Sequence, residues 1–367
     1  MRKENGYIAV VIGTRPEGIK LCPLVLAMRA HGLGVRVLAS GQHGEMLSEV
    51  FSAFGMRPDL SMPPQYFGED LTGLFSHLAM SLRDAFRSLA PSAVIVQGDT
   101  ATAYAATLAA FLHRIPVVHV EAGLRSGDFL SPFPEEAFRK SIAAMASIHI
   151  APTPQAMHHL WCEGVPKSRV FLLGNTVEDA VRHLAPRYAP RSRTMLLTLH
   201  RREHSEAQMR NVFAAATELL CHFPNYSLVY PMHPSPRVRR VAEAAFQGIA
   251  RVRLVPPLPP RDFYPLLASA PLVLTDSGGV QEEASILGVP TLVLRENTER
   301  EYELQNGRIR LVGTDPARIV SVATELLSAP ERKRKESQNG SPSERICKVL
   351  FAFKQCGFDM QRLCREF

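Results

Sequence analysis

Short apolar runs, each stopped by a polar or glycine-containing turn and followed by a helical pattern, recur in two series along this chain. No other feature narrows its fold as much. Tyr7–Ile12, Val35–Ala39, Ala93–Gln97 and Val117–Val120 read as buried strands, with Ile148–Pro152 as a later one. A helix to about Ala30 follows the first strand, one over about Glu45–Phe54 follows the second, and another follows Gly98-Asp99-Thr100. Fully apolar strands alternating with helices build β-α-β units, hence a parallel sheet covered on both faces. The pattern restarts after about Gly174, with strand-like runs at Thr194–Thr198, Ser227–Tyr230, Arg251–Val255, Leu272–Thr275 and Thr291–Leu294. The chain is therefore expected to be α/β, with two Rossmann-like doubly wound domains over residues 1–170 and 171–343. The charged stretch Ala329–Ser343 is the expected crossing segment, and an amphipathic tail at 344–367 is expected to pack back on the first domain.

Composition excludes several classes. At 367 residues and 46% apolar content, the chain can bury two cores unaided. The excess of 42 Lys and Arg over 35 Asp and Glu gives a net charge of +7. Apart from Glu331–Lys335, read as a solvated run, the basic residues are spread out, so no nucleic-acid surface is expected. The mild positive excess suits a small anionic substrate. Six cysteines without a CxxC pair suggest neither a zinc site nor a disulfide framework. Reduced thiols in a cytoplasm fit that count. The first apolar run ends in Gly13-Thr14-Arg15-Pro16-Glu17, so it reads as a strand and not as a signal peptide. No apolar run reaches the roughly 18 residues of a membrane span.

Ligands of open α/β sheets bind at the carboxyl ends of the strands, and two such sheets facing each other would form a cleft. The polar motifs sit there. Gly13–Glu17 is expected to offer free backbone N–H groups and the charge of Arg15, with Lys20 a turn on, as an anion site. Gln97-Gly98-Asp99-Thr100 places a carboxylate after the third strand, either in the cleft or capping the next helix. His119–Arg125 places Glu121 at the corresponding point one unit on. Two carboxylates at neighbouring strand ends suit acid/base work, unless Glu121 merely pairs with Arg125. Ser131–Arg139 opens a helix with Glu135 four residues ahead of Arg139, a pairing that a capped surface helix would also explain. His200, beside Arg201 and Arg202, is open between an acid/base and a structural role. Thr275–Glu283 is the strongest of the set. Ser277, Gly278 and Gly279 form a turn at a helix N-terminus suited to a diphosphate, and Glu283 could accept from ribose hydroxyls. The Arg295–Arg300 segment can bring further positive charge.

In order and spacing, GTRPE-x-IK, GQH, QGDT, HVEAGLR, SPFPEE, LLTLHRRE, TDSGGVQEEA and LVLRENTER resemble the non-hydrolysing UDP-N-acetylglucosamine 2-epimerases over about residues 6–314. The resemblance implies a fold of the glycosyltransferase-B type with the active site in the interdomain cleft. It implies reversible conversion of UDP-GlcNAc to UDP-ManNAc, by elimination of UDP to a 2-acetamidoglucal and re-addition. No metal or other cofactor is implied, nor a membrane; a cytoplasmic homodimer serving polysaccharide biosynthesis is. Carried over by position, Asp99, Glu121, Glu135 and His200 are the catalytic groups. Arg15, Lys20, Arg139, Ser277, Gly278, Gly279, Glu283 and Arg300 are the substrate contacts.

This sequence also departs from the family pattern. Phe138 stands where the family has Asn, which keeps open a 2-epimerase of a modified UDP-2-acetamido sugar. A glycosyltransferase or a silent UDP-sugar binder would use the same fold without the paired acids. His204 replaces the Asn of HRREN, and Gly44 replaces the Arg after Gln42-His43. With the changed Pro63–Gly68 segment, Gly44 implies weakened activation by a second UDP-GlcNAc.

Overall fold

The computed structural model describes residues 6–42, 44–63, 68, 70–186, 190–199, 204–232, 235–296, 307–328 and 340–363. The chain forms two compact units, one of residues 1–180 with 339–367 and one of residues 181–338.

In the first unit β1 (Ile8–Ile12), α1 (Arg15–Ala30), β2 (Val35–Ala39), α2 (Gly44–Ala53) and β3 (Leu60–Ser61) come first. Next are α3 (Leu71–Leu89), β4 (Ala93–Gln97), α4 (Ala101–Leu112), β5 (Val117–Val120) and α5 (Glu135–Met145). The unit's sheet ends with β6 (Ile148–Ala151), α6 (Pro154–Cys162) and β7 (Val170–Leu172). Its seven strands run parallel in the order β3-β2-β1-β4-β5-β6-β7. The central strands β1, β4, β5 and β6 are buried throughout, which is why they read as unbroken apolar runs. Leu78, Leu82 and Phe86 of α3 pack with the alanine-rich face of α4 over one side of the sheet.

After α7 (Val177–Leu184), the second unit carries β8 (Thr194–Thr198), α8 (Glu206–His222), β9 (Ser227–Pro231), α9 (Pro236–Phe246) and β10 (Val252–Val255). It continues with α10 (Pro260–Ser269), β11 (Val273–Thr275), α11 (Gly278–Leu287), β12 (Thr291–Val293), β13 (Ile309–Leu311) and α12 (Pro316–Ser328). Its described strands run parallel in the order β10-β9-β8-β11-β12-β13. Phe213, Tyr230 and Phe246 fill its core between α8, α9 and the sheet.

Both sheets reverse their winding beside the first strand of the unit, between β1 and β4 and between β8 and β11. Such switch points leave a crevice at the strand carboxyl ends.

The division between units falls inside α7 rather than after residue 170. The last long helix, α13 (Pro342–Gln355), packs on α1 and belongs to the first unit. Its start is held by Asp179, whose Oδ2 accepts from the Ser343 N–H at 2.8 Å, and by Arg345, which donates to the Leu173 carbonyl at 2.7 and 3.0 Å. A short α14 (Met360–Leu363) follows. Among the described residues, no helix is long and apolar enough to cross a membrane.

Candidate active site

The first unit gathers its carboxylates around its switch point. Thr100, not Asp99, caps α4: its hydroxyl accepts from the Ala103 N–H at 3.0 Å. Asp99 is thereby released from helix capping, and its Oδ2 lies 2.5 Å from Nη2 of Arg139. The same guanidinium reaches Glu136 Oε2 through Nη1 at 3.0 Å. Glu136 is fully buried and also accepts from the Ser126 N–H. Arg139 therefore bridges two acids from a buried position on α5. The Ser131–Arg139 segment is more than a capped surface helix: α5 has no side-chain cap, and its first turn points an acid inward. Glu135 opens that helix half-buried.

Glu121 follows β5 directly and takes a left-handed backbone, with φ of +62°. A glutamate held there costs roughly 1–3 kcal/mol, a strain that clusters at functional sites. Its Oε2 pairs with the Lys20 ammonium and accepts from Gln97 Nε2 at 2.6 Å. Lys20 and Glu121 are both buried, so each charge offsets the desolvation of the other. Arg125 does not hold Glu121. It turns to α6 and binds Glu163 in a two-pronged pair, at 2.7 and 2.5 Å.

The turn after β1 differs from expectation. Gly13 and Thr14 do not offer free N–H groups to an anion, because Glu17 reaches back and accepts from both through Oε2, at 2.8 and 2.6 Å. Thr14 caps α1 in return, completing a capping box. Glu17 Oε1 accepts from the Thr100 hydroxyl at 2.6 Å, tying the β1 turn to the β4 turn. Full burial pushes the Glu17 carboxyl up to about 7, against the hydrogen bonds that favour its charge. Gly13 has a packing role: a Cβ there would lie 2.0 Å from Thr102 Oγ1. Arg15 opens α1 half-buried beside this turn. Behind it, Ser40, Thr102 and Gln42 form a hydrogen-bonded chain at 2.8 and 2.7 Å.

His119 lies beneath the acids. Its Nε2 donates to the Gly98 carbonyl at 2.8 Å, bracing the turn that carries Asp99. Burial, reinforced by the nearby His149 ring, holds His119 down at about 3, and burial holds His149 at about 4.

The second unit assembles a different site at its own switch point. Thr198 and Thr275, ending β8 and β11, share a hydrogen bond of 2.6 Å. Ser277 caps α11, and its N–H donates to Thr275 Oγ1 at 3.0 Å. Gly278 and Gly279 form the first turn of α11. Among the described residues, a Cβ on Gly279 would meet nothing nearer than Ser277 Oγ at 3.9 Å. A helix N-terminus with two glycines in its first turn suits a diphosphate. Glu283, one turn beyond Gly279 on the same face, accepts from the Tyr264 hydroxyl through Oε1 at 2.7 Å. Asp276 is buried, with His204 Nε2 3.5 Å from its Oδ2.

The family described as UDP-N-acetylglucosamine 2-epimerase matches residues 26–351. A UDP-N-acetylglucosamine 2-epimerase of Bacillus subtilis (strain 168) is 40% identical over 344 residues, 91% of this chain and 90% of that protein. The chain belongs to the UDP-N-acetylglucosamine 2-epimerase family.

Solved structures agree in fold. The UDP-GlcNAc 2-epimerase from Neisseria meningitidis, bound to UDP-GlcNAc, superposes with a TM-score of 0.84 at 32% identity, covering 94% of this chain and 99% of that one. S. aureus MnaA, solved with UDP, gives a TM-score of 0.85 at 34% identity and covers 97% of both chains. The two doubly wound α/β units are of the glycosyltransferase-B type, as the resemblance implied.

Set against the epimerase motifs, Asp99 pairs with Arg139 and Glu121 with Lys20 at the ends of adjacent strands of the first unit, while Glu135 and Arg15 open α5 and α1. Ser277, Gly278, Gly279 and Glu283 meet in the second. His200, Arg300, His43, residues 64–67 and the Glu331–Lys335 run lie outside the described residues. Glu17, Gln97, Glu136 and Tyr264 were not singled out from sequence. Glu17 was legible in principle, since Thr14-x-x-Glu17 is a capping-box spacing; the other three depend on tertiary contacts. Phe138 stacks on Tyr104 at 4.8 Å between ring centres, and Tyr104 stacks on Phe75 at 5.1 Å. The Phe138 ring is thus spent on packing α5 against α4 and α3, while its neighbour Arg139 serves the acids.

Proposed function

We propose that this protein interconverts UDP-N-acetylglucosamine and UDP-N-acetylmannosamine by inversion at C2. The observation that carries the reading is the pair of carboxylates at the ends of adjacent strands, each with its own buried cation: Asp99 with Arg139, and Glu121 with Lys20.

The C2–H of the sugar is not acidic, so its loss must be coupled to departure of UDP. A carboxylate takes the C2 proton, and the C1–O bond breaks with its electron pair leaving on the diphosphate. The product of that step is 2-acetamidoglucal. In the return step a proton is delivered to C2 from the opposite face, and a diphosphate oxygen attacks C1. Proton and leaving group are both restored, so the reaction balances without an oxidant, reductant or cofactor. Proton transfers fall to Asp99, Glu121, Glu135 and His200. Opposite-face delivery requires more than one of them.

In the second unit, the Ser277-Gly278-Gly279 turn takes the diphosphate, whose charge the α11 N-terminus stabilises as it leaves. Glu283 takes the ribose hydroxyls. Arg15 and Arg300 supply further cationic contacts. The Phe138 stacking leaves no specific support for a modified sugar. Exposed apolar side chains, Met80 on α3 and Phe111 and Leu112 at the end of α4, support a homodimer. Buried free thiols at Cys22, Cys347 and Cys356 support a cytoplasmic setting, and the product suits supply of polysaccharide precursors.

The test is incubation with UDP-GlcNAc in D2O. The reading predicts UDP-ManNAc, with deuterium at C2 of both epimers. Binding without exchange, or UDP release only when an acceptor is added, would refute it.

A further inference from the structure

We infer that Glu17 is a positioning residue for proton transfer by Asp99: its carboxylate straps the turn after β1 to the turn after β4 and so holds Asp99 at Arg139. The inference rests on the assignment of Asp99 to the proton chemistry given above.

A capping box asks the acid at the third helical position for one oxygen, to accept from the N-cap N–H. Glu17 meets that need with Oε2, which accepts from Thr14 at 2.6 Å and from Gly13 at 2.8 Å. Oε1 is surplus to the cap. It accepts from the Thr100 hydroxyl at 2.6 Å, 83 positions along the chain, and the glutamate has no exposed surface. Burying a carboxylate is costly unless hydrogen bonds replace its water. A local cap works equally well from the surface, whereas a strap between two turns has to lie between them. The β1 turn also packs directly on α4, since a Cβ on Gly13 would lie 2.0 Å from Thr102 Oγ1.

Thr100 follows Asp99 directly. Its hydroxyl accepts from the Ala103 N–H at 3.0 Å and donates to Glu17, which fixes it from two sides. Before Asp99, Gly98 donates its N–H to the Val120 carbonyl at 3.0 Å and accepts from His119 Nε2 at 2.8 Å. The backbone is therefore held on both sides of the carboxylate that pairs with Arg139. The same face of α1 serves the second acid, because Lys20, one turn beyond Glu17, pairs with Glu121. A threonine hydroxyl can donate to a carboxylate or accept from a carboxylic acid or an amide. The strap thus survives protonation of Glu17 and its replacement by glutamine. Aspartate, one methylene shorter, keeps the charge and the α1 cap but does not reach Thr100.

The experiment measures deuterium entry at C2 of UDP-GlcNAc in D2O at saturating substrate, and UDP affinity by calorimetry, on the full chain. Rates are taken per UDP-binding site from the calorimetric stoichiometry, so an unfolded fraction does not enter. Glu17→Asp and Thr100→Val, which break the strap from its two ends, are each expected to slow exchange about tenfold. UDP affinity should stay within about twofold, and Glu17→Gln should keep exchange within about threefold of wild type. The Glu17→Asp/Thr100→Val double variant should be no slower than the slower single one, and neither change should slow Asp99→Asn further. A merely structural role would lower stability and leave exchange per site unchanged. Unchanged exchange in Glu17→Asp and Thr100→Val, with a large fall in Asp99→Asn, overturns the inference and leaves Asp99 its role. Additive losses in the double variant, further loss in the Asp99→Asn background, or Glu17→Gln as slow as Glu17→Asp also overturn it. A wild type that binds UDP-GlcNAc without exchange, or Asp99→Asn at the wild-type rate, overturns both.

Discussion

In the first unit the turns after β1, β4 and β5 carry Glu17, Asp99 and Glu121, and each carboxylate is engaged by a named donor: backbone N–H groups, Arg139, Lys20. In the second unit the turn after β11 carries Ser277, Gly278 and Gly279 at a helix N-terminus, and Glu283 accepts from the Tyr264 hydroxyl. The two sheets share a strand order and place their functional residues at the same topological point. What differs, among the described residues, is the kind of group at the strand ends. The first unit pairs Asp99 and Glu121 with buried cations, which orients these acids beforehand. The second unit presents a helix N-terminus after β11, with Asp276 and His204 buried before it.

The comparison predicts unequal penalties. Glu121→Gln leaves the Lys20 ammonium buried without its counter-charge, so it should destabilise the fold by about 3 kcal/mol as well as suppress turnover. Chemical denaturation of this variant beside wild type measures that loss. A melt indistinguishable from wild type would remove the distinction between the units. Glu283→Ala should act mainly on the ligand, weakening UDP roughly ten- to thirtyfold by calorimetry while C2 exchange at saturating substrate slows less. Exchange falling more than affinity would break the division of labour.

Gly279→Ala sharpens it further. Among the described residues nothing lies nearer to the methyl than Ser277 Oγ at 3.9 Å, and alanine favours a helix over glycine, so stability should rise by about 0.5 kcal/mol. UDP affinity should fall by about tenfold if a phosphate approaches there. Unchanged affinity would place the diphosphate elsewhere.

The smallest effect is on pH dependence, and it resides in the first unit. His119 and His149 stay neutral in the fold, whereas in the unfolded chain they take up protons below about 6.5. The unfolded state then binds more protons, so stability falls as pH drops from about 6.5 towards 4 and 3. Glu17 opposes this. Raised to about 7, it is protonated in the fold over a range where the unfolded carboxyl is not, so its contribution is present at low pH and is lost as pH rises through 7. Glu17→Gln should therefore steepen the acid loss of stability between pH 7 and 4.5 in thermal melts. An unchanged slope would contradict the assignment.

The sequence revealed the interior of the fold more fully than its edges. β1, β4, β5 and β6 are buried on both faces, and their Val and Ile runs announce it. β3 has two exposed residues, while β7 and β13 are short edge strands of mixed burial, so no periodicity marks them. The positions of Asp99, Glu121 and the Ser277 turn follow from strand ends, which sequence locates well. Their partners do not: Lys20 lies 101 positions from Glu121, and nothing local links Tyr264 to Glu283. Free N–H groups were expected at the β1 turn because glycine and proline suggested them, while Glu17, at the third position of the helix, accepts from both.

Asp99 gives the most direct test of the account. Asp99→Asn removes one acid while Arg139 keeps Glu136, so the fold and UDP binding should persist. The decisive quantity is the rate at which deuterium enters C2 of UDP-GlcNAc in D2O at saturating substrate. The account predicts a fall of about a hundredfold or more, with melting temperature and UDP affinity unchanged. Exchange within about threefold of wild type would contradict it.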